Sequence, residues 1–104
     1  MFDNIRPVSI STRACREIHQ IMKAKAIPSQ YGLRVGVRGG GCGGVSLIIG
    51  FDTKKETDLA YDVDGIPVYV DKKHTMYLMG RQVDFIDEAD GKGFIFVGET
   101  RDPD

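Results

Sequence analysis

The sequence predicts an α+β fold, mainly β, with two short helices in a single domain spanning residues 1–104. Three observations carry this expectation. Apolar and polar residues alternate in several runs of roughly five to seven residues, the period of half-buried strands. Only two stretches read as helices, the first by helical spacing and each by a capping residue at its start and glycine or proline at its end. The chain is long enough to close one core without disulfides or a structural metal, and no linker or internal repeat divides it.

Ser11 or Thr12 is a suitable N-cap, and Ala14, Cys15, Ile18, Ile21 and Met22 follow at helical spacing, so a helix is expected to about Lys25. Pro28 and Gly32 close that segment. Leu33, Val35 and Val37 then alternate with Arg34, Gly36 and Arg38, which predicts a strand with both arginines facing outward. Beyond the run Gly39-Gly40-Gly41-Cys42-Gly43-Gly44, alternation resumes at Val45, Leu47, Ile49 and Phe51. The two strands read as a hairpin with the glycine run at its tip.

The polar stretch from Asp52 to Asp58 leads to a third strand near Leu59 to Val63, and Asp64-Gly65 is a tight-turn dipeptide. Ile66, Val68 and Val70 form the next strand, where Pro67 points either to an edge strand or to a strand's first residues. Asp71 is placed to cap a short helix from Lys72 to Met79, stopped by Gly80. Val83 and Phe85 start another strand. The turn residues Asp90 to Gly93 precede a last strand, Phe94 to Val97, and the polar tail Gly98 to Asp104 is expected to fray.

Fifteen acidic and fourteen basic residues are scattered rather than blocked, so no charge stripe points to nucleic acid or anionic lipid. No apolar run approaches the roughly 18 residues of a membrane span, and Met1 to Pro7 lacks the layout of a secretion signal. A cytoplasmic protein is expected. Its two cysteines, Cys15 and Cys42, are too few for a disulfide framework and would remain thiols there.

The run Gly39-x-Gly41-x-x-Gly44 matches a dinucleotide-binding fingerprint only superficially, because that motif opens a helix and here a strand follows. A Walker-type Lys-Ser/Thr ending is also missing. Five glycines around one cysteine would cost ~2.5 to 5 kcal/mol relative to alanines if ordered, against a net stability of roughly 5 to 15 kcal/mol. A turn alone needs fewer, so close backbone approach around Cys42 is the better explanation. Backbone N–H groups aimed at the sulphur, with Arg34 and Arg38 adding positive potential, would favour a thiolate suited to metal ligation or nucleophilic attack. Cys15, on the helix stripe with Ile18 and Met22, reads as a small core residue. His19 and His74 fall on helices without a ligand partner at i+3 or i+4 and are expected at half-buried or surface positions.

The blocks Val8-Ser9-Ile10-Ser11, Tyr31 to Arg38 leading to Cys42, Gly65 to Asp71, Tyr77-Leu78-Met79-Gly80, Val83-Asp84-Phe85 and Gly93-Phe94-Ile95-Phe96 together resemble the A-type iron–sulphur carrier family, also called HesB/IscA-like. The resemblance covers almost the whole chain. It implies a HesB-like domain of twisted sheets that self-associates as a homodimer or tetramer. It also implies binding of iron or an iron–sulphur cluster, with transfer to assembly partners or recipient apoproteins and no catalysis. On this resemblance Cys42 is the metal ligand, and Gly41 and Gly43 flank it in the cofactor-binding loop. The family's other two ligands form a Cys-Gly-Cys beyond the last strand, where this sequence reads Gly98-Glu99-Thr100-Arg101-Asp102-Pro103-Asp104. A cluster usually takes four cysteines, so further ligands are expected from a tetramer, from Glu99, Asp102 or Asp104, from water or from an external thiol. Two alternatives remain: a scaffold that has given up metal, and a redox-active thiol at Cys42.

Overall fold

The computed structural model describes residues 6–39 and 45–97, and within them alternation yields seven strands while helical spacing yields two helices. In chain order these are β1 (Val8–Ile10), α1 (Thr12–Ala24), β2 (Tyr31–Gly39), β3 (Val45–Thr53), β4 (Asp58–Val63) and β5 (Ile66–Asp71). A 3-10 turn at Lys72–His74 runs into α2 (Thr75–Leu78), followed by β6 (Arg81–Glu88) and β7 (Gly91–Val97). The mainly β architecture expected from the sequence is therefore observed.

The ends of α1 are set by local chemistry. Ser11 Oγ accepts from the Ala14 N–H at 3.1 Å and donates to Asp84 at 2.6 Å, so the N-cap is tied to β6. Arg13 grips the same carboxylate through Nε and Nη2, both at 2.8 Å. At the other end the Ile27 N–H donates to Met22 O and the Ala26 N–H to Lys23 O. This is a Schellman ending with Ala26 in the left-handed region at φ 52°. The buried stripe is Ala14, Cys15 and Ile18.

Two sheets share the core, one ordered β1-β6-β7 and the other β3-β2-β5-β4. β2 pairs antiparallel with β3 and parallel with β5, so it stands inside the larger sheet, with five of its nine residues buried. Leu33, Val35, Ile66, Val68 and Val70 from that sheet meet Val8 and Val83 from the other, with Ile18 and Leu78 from the helices closing the gap. Phe85 and Phe94, directly opposite on β6 and β7, stack edge to face with centroids 5.0 Å apart.

Pro67 does not mark an edge strand, because β5 lies between β2 and β4. It is the second residue of β5, and the parallel ladder to β2 begins after it, at Val68. The missing N–H falls before the ladder that would have needed it, so the reading as a strand's first residues is the one that holds. Asp64 (φ 53°) and Gly65 (φ 84°) form the tight turn expected between β4 and β5.

Tyr61 joins the two sheets. Its hydroxyl donates to Val8 O at 2.7 Å and accepts from Val8 N–H at 3.3 Å, and burial pushes its pKa up to about 12. Among the described residues no helix is long and apolar enough to cross a membrane.

Two outcomes follow for stability. Ala26→Gly is expected to stabilise by roughly 0.5 to 1 kcal/mol, since relief of the left-handed strain exceeds the extra unfolded-state entropy; a urea midpoint that stays put or falls would contradict this. Tyr61→Phe leaves both Val8 backbone groups without their partner and is expected to cost about 1 to 3 kcal/mol in the same assay.

Candidate functional site

Cys42, Gly41 and Gly43 lie outside the described residues, as do Glu99, Asp102 and Asp104. The strands that lead into and out of the loop are described. β2 and β3 pair without interruption from Tyr31↔Thr53 to Gly39↔Val45, so Gly39 and Val45 face each other as the last pair before the loop. The hairpin read from the alternation is confirmed, and its nine-pair ladder is a firm base for whatever the loop carries.

On the β2 face that bears Arg34, Gly36 and Arg38, away from the core residues Leu33 and Val35, Arg38 is exposed as expected, while Arg34 is only partly exposed because carboxylates cover it. Its guanidinium donates from Nε to Asp52 at 2.9 Å, from Nη1 and Nη2 to Asp58 at 2.8 and 2.6 Å, and from Nη2 to Thr53 O at 3.0 Å. The Asp58 side chain is completely buried, and the Arg34 hydrogen bonds hold its carboxyl below the usual carboxylate range against the opposing effect of burial. Asp52 is lowered as well, first by the Thr53 N–H and then by Lys55. Two carboxylates thus neutralise Arg34. It is not a source of free positive potential for a thiolate.

His74, at the end of the 3-10 turn, lies half-buried over Gly36. The Val37 N–H donates to His74 Nδ1 at 3.4 Å, so in the neutral ring Nε2 carries the proton. A Cβ at position 36 would stand 2.6 Å from Nδ1, and the contact exists only because that residue is glycine. Arg34, Gly36, Ile48, Asp52, Lys55 and His74 line a shallow cleft of about 230 Å³ beside this contact. Spacing within the helix gave no sign of this use of His74. The one available signal was a glycine inside a strand, which often marks close approach by another group. His19 is exposed on α1, and Nε2 meets Asp64 O at 2.9 Å, an acceptor that requires the proton on that nitrogen.

Cys15 behaves as expected of a core residue: it is 3% exposed, its Sγ points at Ile10 O at 3.9 Å, and burial pushes its thiol pKa up. Among the described residues no three His, Cys, Asp or Glu side chains converge as a metal site.

The class of protein follows from comparison of this chain and fold with known ones. Residues 7–102 match the family model for iron-sulphur cluster biosynthesis, and the chain belongs to that family. It is 39% identical over 89 residues to the uncharacterized protein SufA of Bacillus subtilis, covering 85% of this chain and 73% of that one. It is 33% identical over 90 residues to the iron-binding protein IscA of Yersinia enterocolitica, covering 86% and 82% respectively. The crystal structure of IscA with the 2Fe-2S cluster superposes with a TM-score of 0.73 over 86% of this chain and 83% of that one, at 24% identity, and so shares its fold. The A-type carrier resemblance read from the sequence blocks is borne out.

The Arg34 and Arg13 ion pairs set an acid limit to stability. Asp58 and Asp84 both have folded-state pKa values below the unfolded carboxylate value of about 3.9. Their contribution is therefore complete above that value and is lost as pH falls below it, because the unfolded chain binds the protons first. Urea titrations at stepped pH are expected to show a steep acid decline that Asp58→Ala makes shallower. At pH 7 that variant is expected to cost about 3 kcal/mol, the low end for a broken buried pair because Asp52 stays on Arg34. Gly36→Ala is expected to dislodge His74 and to cost roughly 1 to 3 kcal/mol as an overpacked contact; an unshifted His74 imidazole NMR signal in that variant would refute the contact.

Proposed function

We propose that this chain, as one cytoplasmic domain over residues 1–104, binds iron or an iron–sulphur cluster through Cys42 where copies of the chain meet, and delivers it to assembly partners or recipient apoproteins. Family membership over residues 7–102 is the observation that carries this reading. The binding named for the IscA relative and the cluster named for the IscA structure support it.

The chemistry of the two thiols points the same way. Metal ligation needs a thiolate, and Cys15 is sealed in the core with its pKa raised. Of the two cysteines in this sequence, Cys42 is left, with Gly41 and Gly43 permitting close backbone approach on either side. A cluster of four-ligand demand then draws on more than one copy of Cys42, on Glu99, Asp102 or Asp104, or on an external thiol. Such a site releases its cargo readily, which suits a carrier. The cargo is handed over without being transformed, so no residue is assigned a catalytic role.

Anaerobic reconstitution with iron and sulphide tests the reading. Wild type and Cys15→Ser are expected to develop visible thiolate-to-iron absorption, and Cys42→Ser to lose most of it. A colourless wild type, or a Cys42→Ser protein that loads as well as wild type, would overturn it.

A further inference from the structure

We propose that β3 is a self-association edge, on which a second copy of this chain pairs antiparallel across a two-fold axis to extend the four-stranded sheet into one of eight strands. β3 ends the order β3-β2-β5-β4 and, among the described residues, pairs with β2 alone. A strand paired on one side turns alternate N–H and C=O groups to the other, and another strand is the partner that satisfies the whole row.

Charge, proline and a bulge, three usual protections of such an edge, are missing from β3 as far as Phe51, although β7 of the other sheet comes near it. From Val45 to Phe51 there is no charged residue and no proline, and the ladder to β2 runs through nine consecutive pairs without a bulge. None of the residues from Ser46 to Thr53 is buried. Only the end is closed locally, where the Thr53 N–H donates to Asp52 at 2.8 Å and Thr53 O accepts from Arg34 at 3.0 Å. The opposite edge is managed differently. There Arg6 donates to Asp62 O on β4 at 3.0 Å and lies over the Tyr61 ring, whose hydroxyl holds the Val8 backbone. In the smaller sheet, edge strand β7 carries a charge, Lys92, only in its opening Gly91-Lys92-Gly93.

A second copy fits this edge because the strand is complementary to itself. A two-fold axis through Ile49 sets Ile49 against the partner's Ile49, Leu47 against the partner's Phe51, Ile48 against the partner's Gly50 and Ser46 against the partner's Asp52. Leu47, Ile49 and Phe51 already pack half-buried against the core, and the pairing would cover them from the open side. No like charges meet. The contact is separate from any shared metal, since the two copies of Val45 would stand about 27 Å apart along the paired strands at roughly 3.4 Å per residue.

Sedimentation velocity over a dilution series tests this on the full chain, with chelator and reductant present so that metal bridging and disulfides drop out. A reversible monomer–dimer equilibrium is expected, with alternate amides of Ser46 to Phe51 exchanging more slowly as concentration rises. Ile48→Lys is expected to weaken association by about fivefold or more by bringing charge onto the edge, while Ile48→Thr keeps it. Adding Gly50→Asp to Ile48→Lys sets each lysine opposite the partner's aspartate and is expected to restore association. The Cβ at position 50 meets nothing within 4 Å, so Gly50→Lys is a second disrupting variant should Ile48→Lys fold poorly. A chain that stays monomeric at every concentration, an association indifferent to Ile48→Lys and Gly50→Lys, or a double variant without recovery would overturn the proposal. Because metal is absent throughout, none of these results depends on Cys42.

Discussion

A guanidinium placed in the partly covered face of a sheet has to be met by carboxylates, and the position of Arg34 imposes that demand on three strands at once. Arg34 is one of two residues where β2 is in register with both neighbours, opposite Gly50 on β3 and Tyr69 on β5. Its carboxylate partners arrive from β3 as Asp52 and from the start of β4 as Asp58. The connection between those strands is drawn into the same cluster, as the Lys55 N–H donates to Asp58 at 2.8 Å and Lys55 Nζ to Asp52 at 3.2 Å. A slip of β3 by one residue would carry Asp52 to the core face and turn Leu47, Ile49 and Phe51 outward, so ion pairing and apolar burial demand the same register. Agreement between independent requirements is what makes a single native pairing stand clear of its competitors.

Alternation made the strands and the core easy to read, because a residue's parity along a strand states which face it takes. Parity does not state what covers that face. Arg34 was therefore assigned to solvent, although Asp52 and Asp58 come from positions 18 and 24 residues further along the chain. The same reason hid His74, whose contact with Val37 spans 37 residues. Pro67 carried two readings, and only the sheet order could choose between them. Cys15 was legible because its neighbours on the helix stripe already showed that it faces inward. Cys42 is singled out in the sequence by the glycines around it, and it lies outside the described residues.

The family frame and the cargo chemistry proposed above are assigned to different parts of the chain. Ion pairs, the Tyr61 link and two sheets of β-branched residues hold the frame as far as the Gly39–Val45 pair. The chemistry is proposed for Cys42, flanked by Gly41 and Gly43, which follow Gly39 in the sequence. The described frame shares the fold of the solved IscA structure at 24% identity, so this architecture tolerates wide change in sequence.

The seclusion of Cys15 also makes it a clock. Wedged between Ala14 and Ile18 on the inner side of α1 and 3% exposed, its thiol meets a reagent in solution only when the helix lifts from the sheets or the domain opens altogether. The rate at which a labelling reagent marks residue 15 therefore counts core openings one by one. Because Cys15 takes no part in the proposed metal site, that rate reports on the frame alone.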